Sequence, residues 1–447
     1  MKKVAMHNLG CKVNSYEAES MEQMLIAAGY TIVPFDENIP ADVYIINTCS
    51  VTNIADRKSR QMLHKAKKMN PSAVVVAAGC YVQADSEKVQ KDDAVDIVLG
   101  NNCKINIVEA LDNYFKDHSN NMNLLDLSVK QPYEELEIDK VNEHTRAYIK
   151  IQDGCNQFCS YCIIPYTRGR IRSRELSDIL EEVKRLAERG YREIVLTGIH
   201  LTSYGIDNNR GSLLEVISQI HEIQGIERIR LGSLEPRVIT EEFVKAVSSM
   251  EKVCPHFHLS LQSGSDTVLK RMNRKYNTEE YLKGCNLLRK YYDNPAITTD
   301  VIVGFPGETE EEFQETKEFL KKVHFYEMHV FKYSRRKGTV ADRMDNQIDE
   351  KIKAQRSSIL IGLEQEMSAE YRKSIIGKTE SILIEEVISY QGASYAAGYT
   401  KNYVRVLVPC SPAVEKQYIN SVVDVCCKEM TEDALYIIGE LCDGAGK

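Results

Sequence analysis

Six short apolar runs, at 148–151, 194–197, 229–232, 257–261, 299–303 and 328–331, recur with helical patterns between them. Strands that alternate with helices pair in parallel, and six such units form a parallel barrel, incomplete beside the eight of the common form. The helical patterns at 174–189 and 310–323 fit as crossovers, and the second opens on carboxylates, which suit the positive end of a helix. A longer helical stretch, 349–373, leaves the barrel.

The flanks differ in character. Strand-like runs at 43–46, 74–78 and 97–99 alternate with amphipathic stretches at 17–28 and 57–69, which predicts a small open parallel sheet. Glu134, Glu135, Glu137, Asp139 and Glu143 then mark a linker or covering arm. Past the long helix, runs at 381–386, 404–408 and 435–438 with Gly and Pro between them predict a small all-β barrel. The chain therefore reads as α/β: an open parallel α/β domain over 1–125, a linker over 126–145, a partial (β/α)6 barrel over 146–373 and a small β-barrel over 374–440. A length of 447 residues asks for more than one domain.

The opening MKKVAMHNLGCKVN has no apolar stretch fit for a signal peptide, and no later run approaches a membrane span. The expectation is a cytoplasmic protein without a membrane partner. In that reducing compartment thirteen cysteines point to metal binding or catalysis rather than disulfides. A net charge of −8 excludes a globally basic nucleic-acid binder, so any RNA must be held by local patches.

One loop concentrates the chemistry. Asp153-Gly154-Cys155-Asn156-Gln157-Phe158-Cys159-Ser160-Tyr161-Cys162 follows a predicted strand directly. Three thiolates within eight residues can hold three irons of a [4Fe–4S] cube and leave the fourth without a protein ligand. The same spacing also makes one stripe of a helix, and a zinc site would need a fourth ligand that does not follow closely. Cys11, Cys49 and Cys80 each follow an apolar run, at the sheet edge where the loops of a parallel sheet converge. Singly each reads as structural; together they suggest a second three-thiolate site. Cys103, Cys254, Cys285, Cys410, Cys426, Cys427 and Cys442 take the structural reading, as does the strand pair His256/His258.

CxxxCxxC with the aromatic Tyr161 before its last Cys resembles the radical-SAM superfamily. That resemblance implies that the open iron chelates S-adenosylmethionine, whose reductive cleavage releases a 5′-deoxyadenosyl radical. Its cofactor contacts would be Tyr161, Gly198 after the second strand, Ser233 and Glu235 after the third, Gln262 and Ser263 after the fourth, and Ile302 in the fifth. The contexts Leu-Gly-Cys-Lys-Val-Asn, Asn-Thr-Cys-Ser and Ala-Gly-Cys-Tyr closely resemble the methylthiotransferase family. Membership implies an auxiliary [4Fe–4S] cluster on Cys11, Cys49 and Cys80, a radical-SAM barrel and a C-terminal RNA-binding TRAM domain. The chemistry implied replaces C–H by C–S–CH3 with two molecules of S-adenosylmethionine: one methylates sulfur, the other supplies the radical.

Within the family, the motifs are most similar to the branch acting on N6-threonylcarbamoyladenosine at position 37, in the anticodon loop of tRNA. The alternatives are the isopentenyladenosine branch, which reads Gln-Met-Asn where this chain has Lys12-Val13-Asn14, and the branch acting on a ribosomal-protein aspartate. An iron–sulfur RNA-binding sensor is the non-enzymatic reading. An enzyme of this kind needs an electron donor and a sulfur source, and no DNA. For RNA, Arg168, Arg170, Arg172 and Arg174 alternate after the cluster loop, and Lys270, Arg271, Arg274 and Lys275 follow the fourth strand. Lys332, Arg335, Arg336 and Lys337 follow the sixth. These are expected as phosphate contacts at the barrel mouth, against a plain solvated surface. From residue 374 onward six Lys/Arg face ten Asp/Glu, so RNA binding there must rest on a local face such as Tyr399, Lys401, Tyr403 and Arg405, which could equally be a half-buried edge.

Overall fold

The computed structural model describes residues 1–118, 122–138, 145–208, 211–410 and 418–442. The first unit is a six-stranded parallel sheet of β1 (Lys3–Asn8), β2 (Thr31–Val33), β3 (Val43–Thr48), β4 (Val74–Gly79), β5 (Ile97–Leu99) and β6 (Met122–Asn123), in the order 2-1-3-4-5-6. β3 and β4 are buried along their whole length, as strands covered on both faces must be. Alternate residues divide between the two cores: Tyr44, Ile46, Val75 and Ala77 on one side, Val43, Ile45, Val74 and Val76 on the other. Helix α1 (Lys12–Ala27) covers the second face through Met21 and Leu25, and α2 (Asn53–Met69) the first through Leu63 and Ala66.

The central unit has six parallel strands, β7 (Arg146–Asp153), β9 (Glu193–Gly198), β10 (Arg228–Leu231), β11 (His256–His258), β12 (Ala296–Val303) and β13 (Glu327–Lys332). The short β8 (Arg172–Ser173) runs antiparallel on the outer edge of β7. Two hydrogen-bonded runs result, β10-β9-β7-β8 and β11-β12-β13, joined by the parallel bridges Ile229–Val253 and Leu234–Leu259. The wall is therefore a six-stranded arc, as the periodicity predicts, open between β13 and the β7 edge. The helix Glu310–Val323 starts on a capping box of Thr309 and Glu312 with three carboxylates in its first turn, which matches its sequence signal. The helix Glu350–Lys373 closes the unit through Leu360, Leu363 and Met367.

The acidic stretch is a covering arm rather than a free tether. Leu136 and Ile138 are buried in the central core, Glu134 accepts from Ile105 N at 3.0 Å, and Tyr133 donates to Lys150 O at 2.6 Å. Asp139 and Glu143 lie outside the described residues.

The last unit is a closed five-stranded barrel of β14 (Thr379–Tyr390), β15 (Ala393–Thr400), β16 (Arg405–Pro409), β17 (Val422–Met430) and β18 (Ile437–Leu441), in the order 14-15-16-18-17. It docks on the N-terminal ends of the central strands. Arg146, first in β7, pairs with Glu385 at 2.6 Å, and Arg228, first in β10, donates to Tyr399 O at 2.8 Å and Ser381 O at 2.6 Å. The cysteine loop lies at the opposite, C-terminal ends of those strands.

Candidate functional site

β7 ends at Asp153, and the chain turns through Gly154 at φ +71°, where a Cβ would lie 1.9 Å from Arg170 O. Only glycine fits such an approach in that conformation. Cys155 N donates to Gly169 O at 3.0 Å and Cys162 N to Cys159 O at 2.9 Å, while Phe158 has φ +49°. The segment is thus an irregular loop, which disposes of the helical-stripe alternative. Asn273 Nδ2 donates to Phe158 O at 2.9 Å and Ser160 N to Met272 O at 3.0 Å, which fixes the loop to the segment after β11. Burial, with Cys159 close by, pushes the Cys155 thiol up to about 11. Burial and then Cys159 take Cys162 to about 12. Arg274 Nη1 donates to Cys159 Sγ at 3.1 Å and Gln157 N to Cys155 Sγ at 3.4 Å, which favours negative charge on sulfur.

The second triad sits on three adjacent strands. Cys11 follows β1 and opens α1, Cys49 follows β3 directly, and Cys80 follows β4 directly at the start of the short helix α3 (Cys80–Ala84). Neighbouring parallel strands stand about 4.8 Å apart, so equivalent loops at their ends bring the thiols together. Gly79, at φ +97°, has no room for a Cβ, which would meet Asn47 Oδ1 at 2.7 Å and Thr48 O at 2.8 Å. Asn101 Nδ2 donates to Cys80 Sγ at 3.4 Å, and Cys11 Sγ to Asn14 Oδ1 at 3.3 Å. Burial, together with Cys80 and Cys11, pushes Cys49 up to about 11; burial also raises Cys11, against the pull of Arg168.

Neither triad is drawn up around a single ion. The sulfurs of one tetrahedral zinc stand about 3.8 Å apart, given Zn–S near 2.3 Å. Among the described residues the one set of three His, Cys, Asp or Glu ligand atoms all within 4.8 Å of one another is His258, Asp300 and His329. Each cysteine triad is more open than that and has three sulfurs, which fits a polynuclear cluster with one metal left uncapped. Ligation must also drive the raised thiols to ionise, so cluster assembly releases protons.

The strand ends hold the other expected residues. Gly198 ends β9 beside Gln152, whose Oε1 accepts from His200 N at 2.7 Å. Ser233 is exposed after β10. Glu235 is buried; burial opposes its charge, but hydrogen bonds from His200 and Arg237 bring it down to about 2. It also accepts from Gln157 Nε2, in the cluster loop, at 3.3 Å. Gln262, at φ +76°, ties β11 to β12 by donating to Asp300 O at 2.9 Å and accepting from Ile302 N at 2.8 Å. The Ser263 hydroxyl is buried against Thr316 Oγ1 at 3.2 Å. Tyr161 meets Phe305 edge-on at 6.5 Å and shares an apolar patch with Ile302. Sequence reasoning missed Gln152, Gln157, His200 and Arg237, whose signal was only their position beside the motifs.

Several of the expected RNA contacts require correction. Arg168 and Arg172 are buried: Arg168 pairs with Glu17 at 2.8 Å and Asp153 at 3.2 Å, and Arg172 lies 3.5 Å from Asp153. Arg174 is buried against Glu182. Arg274 is half-buried and spends its guanidinium on Cys159 Sγ at 3.1 Å and Tyr276 Oη at 2.9 Å. Arg336 is buried against Asp56 at 2.5 Å, so it latches the two α/β units together. Lys401 Nζ donates to Glu251 O at 2.9 Å, and the stacked rings of Tyr399 and Tyr403, 4.6 Å apart, lie beneath the Arg146 guanidinium. That face is the dock between the two barrels. Arg405 is half-exposed and pairs with Glu386 at 2.5 Å. Arg170, Lys270, Lys275, Lys332, Arg335 and Lys337 remain exposed, with Lys332 paired to Glu350 at 3.6 Å and Arg335 to Asp342 at 2.8 Å, while the half-exposed Arg271 pairs with Glu312 at 2.6 Å.

A partial parallel barrel carrying a three-cysteine loop at its C-terminal mouth defines the radical-SAM class. The family model "Radical SAM superfamily" matches residues 149–320, and "Uncharacterized protein family UPF0004" matches 3–100. Among solved structures, the radical S-adenosylmethionine methyltransferase TsrM from Kitasatospora setae has the same fold, with a TM-score of 0.55 over 74% of this chain and 73% of that one at 14% identity. Curated relatives narrow the class. The threonylcarbamoyladenosine tRNA methylthiotransferase MtaB of Bacillus subtilis is 41% identical over 91% of this chain and 90% of its own length. MtaB of Thermotoga maritima is 39% identical over 91% of both. The tRNA-2-methylthio-N(6)-dimethylallyladenosine synthase of Finegoldia magna is 35% identical over 97% of this chain and 93% of its own length. The chain belongs to the tRNA methylthiotransferase family of radical-SAM enzymes.

Proposed function

We propose that this enzyme converts N6-threonylcarbamoyladenosine at position 37 of tRNA into its 2-methylthio derivative. The observation that carries the reading is the pair of cysteine triads, one per α/β unit, bound into one body by the buried ion pairs of Arg168 with Glu17 and Asp153. MtaB relatives named for this substrate share about two-fifths of its residues.

Cys155, Cys159 and Cys162 would hold one [4Fe–4S] cluster, and Cys11, Cys49 and Cys80 the other. With S-adenosylmethionine bound, such clusters supply a reductively generated radical for C–H activation and a site for delivery of a methylated sulfur. The protein's own part is positioning. Tyr161, Ile302 and Phe305 offer an apolar wall for an adenine ring, and ionised Glu235 offers a carboxylate beside the cluster loop. Arg274 steadies the charge on Cys159. Arg170, Lys270, Lys275 and Lys337 supply exposed cations for the tRNA backbone, and the small barrel buttresses the floor of the larger one. An electron donor and a sulfur source complete the reaction. The absence of any helix long and apolar enough to cross a membrane among the described residues accords with cytoplasmic work on tRNA.

The test is the nucleoside profile of tRNA from a strain lacking this gene and any redundant enzyme. Loss of 2-methylthio-N6-threonylcarbamoyladenosine, with its unthiolated precursor accumulating, is expected. Persistence of that nucleoside overturns the reading; loss of the methylthio-isopentenyl nucleoside instead reassigns the substrate.

A further inference from the structure

Helix α2 starts shortly after β3 and Cys49, so its first turn stands beside the second triad. It is a basic helix in a chain of net charge −8: Arg57, Lys58, Arg60, Lys65, Lys67 and Lys68 are set against the single acid Asp56. Its inner face buries Ser59, Leu63 and Ala66. The helical period gathers Ile54, Arg57, Lys58, Gln61, Lys65 and Lys68 on the opposite face, where all but the half-exposed Lys65 are exposed. At 1.5 Å per residue the cationic stripe from Arg57 to Lys68 is about 17 Å long. Neighbouring acids do not consume it. Asp56 is spent on Arg336 and Ser50, Lys67 pairs with Asp96 at 2.8 Å, and Arg60 lies 5.7 Å over the Tyr81 ring. Lys65 pairs with Glu37 at 2.9 Å, but both reach solvent, where such a pair contributes little. The side chains of Arg57, Lys58 and Lys68 make no hydrogen bond or ion pair among the described residues.

The head of the stripe adjoins the barrel mouth. Asn53 N donates to Ser334 Oγ at 3.2 Å and Asn53 Nδ2 to Arg335 O at 2.7 Å, so α2 starts against the segment after β13. Lys337 of that segment is exposed and likewise unpaired among the described residues. A row of unpaired cations leading away from the site of chemistry matches a polyanion that enters the site and continues past it, and each phosphate so neutralised releases counterions. The small C-terminal barrel is acidic and has given its Tyr399, Lys401 and Tyr403 face to the dock. An acidic electron carrier suits the stripe less, because the electron is needed at Cys155, Cys159 and Cys162, whereas α2 springs from the other triad. We infer that the exposed face of α2 binds the sugar–phosphate backbone of the anticodon arm of tRNA. This rests on tRNA being the substrate, as assigned above.

The test measures the affinity of anaerobically reconstituted enzyme for an anticodon stem-loop between about 50 mM and 200 mM salt. It compares wild type with a triple variant, Arg57→Gln, Lys58→Gln and Lys68→Gln, which keeps residues of good helix propensity. A control variant, Lys245→Gln, Lys283→Gln and Lys322→Gln, removes three exposed lysines from the outer helices of the large barrel. Each phosphate contact contributes about 0.7–0.9 to the slope of log affinity against log salt, so the α2 variant should lower that slope by about 2 to 3. Its affinity at about 0.1 M salt should fall at least about tenfold, while its iron content and thermal midpoint match wild type. The control should bind as wild type does. An unchanged slope in the α2 variant, an equal loss in the control, or intact RNA affinity with cofactor cleavage lost only when a protein supplies the electron would each overturn the inference; the last result would make the stripe an electron-carrier dock. An unchanged slope beside a normal loss of the nucleoside in the gene-deletion strain sinks the stripe alone. Wild type that binds no tRNA refutes the substrate assignment with it.

Discussion

Arg168 donates to Glu17 at 2.8 Å across the boundary between the two α/β units, with both side chains buried. The same guanidinium reaches Asp153, two residues before Cys155, and Asn14, three residues after Cys11. Lys104 and Lys150 complete the charge balance around Glu17 at 3.1 and 3.2 Å. One side chain thus sets the position of both cysteine triads. Such a network adds little net stability when intact, but removal of one member leaves an uncompensated buried charge.

Arg168→Met should therefore destabilise the protein by about 3–5 kcal/mol. Anaerobic denaturant unfolding measures this, and iron analysis should show loss from both sites rather than one. A change under about 1 kcal/mol would mean that water reaches the network.

The same network sets an acid limit. Burial opposes ionisation of Glu17 and Asp153, but Arg168 and the neighbouring lysines outweigh it and hold both carboxyls below their ordinary range. A depressed carboxylate pKa contributes stability that is fully present above the unfolded value, about 4, and is lost as pH falls toward the folded value. Unfolding free energy should stay level with respect to these groups from pH 7 to about pH 5, then fall through the range below about 4. Glu17→Gln should flatten that acid limb.

Gly154→Ala places a Cβ 1.9 Å from Arg170 O in a left-handed conformation. The turn that presents Cys155 must then shift. Iron should drop from about eight to about four per chain, the content of one cube, with the Cys11/Cys49/Cys80 site still occupied and cofactor cleavage lost.

Arg274→Met removes the donor to Cys159 Sγ. Hydrogen bonds to cluster sulfurs tune reduction potential, so the barrel cluster should become harder to reduce and 5′-deoxyadenosine formation should slow at least about tenfold, while the auxiliary cluster keeps its spectrum. An unchanged potential would assign Arg274 a packing role only.

Much of this was legible from local pattern. Each strand of the barrel arc announces itself as an apolar run, and the loop from Asp153 to Cys162 carries its ligands within ten residues. The alternating arginines were misread for a physical reason. Glu17 lies 151 residues from Arg168, and the nearer acids Asp153 and Glu182 sit on a neighbouring strand and helix, so the run resembles a solvated cationic strip until the fold brings the acids beneath it. Tyr399, Lys401 and Tyr403 misled in the same way, because an aromatic-basic strand suits stacking on arginines across a domain dock as well as stacking on bases.

The most direct test of the central claim is a single anaerobic reaction of the reconstituted, reduced enzyme with S-adenosylmethionine and an anticodon stem-loop bearing N6-threonylcarbamoyladenosine. The account predicts 2-methylthio-N6-threonylcarbamoyladenosine by mass spectrometry, together with 5′-deoxyadenosine and S-adenosylhomocysteine, and no product after Cys11, Cys49 and Cys80 are changed to Ala, although 5′-deoxyadenosine persists. Cofactor cleavage by the wild type without any methylthiolated nucleoside, or product formation that survives loss of the second triad, would contradict it.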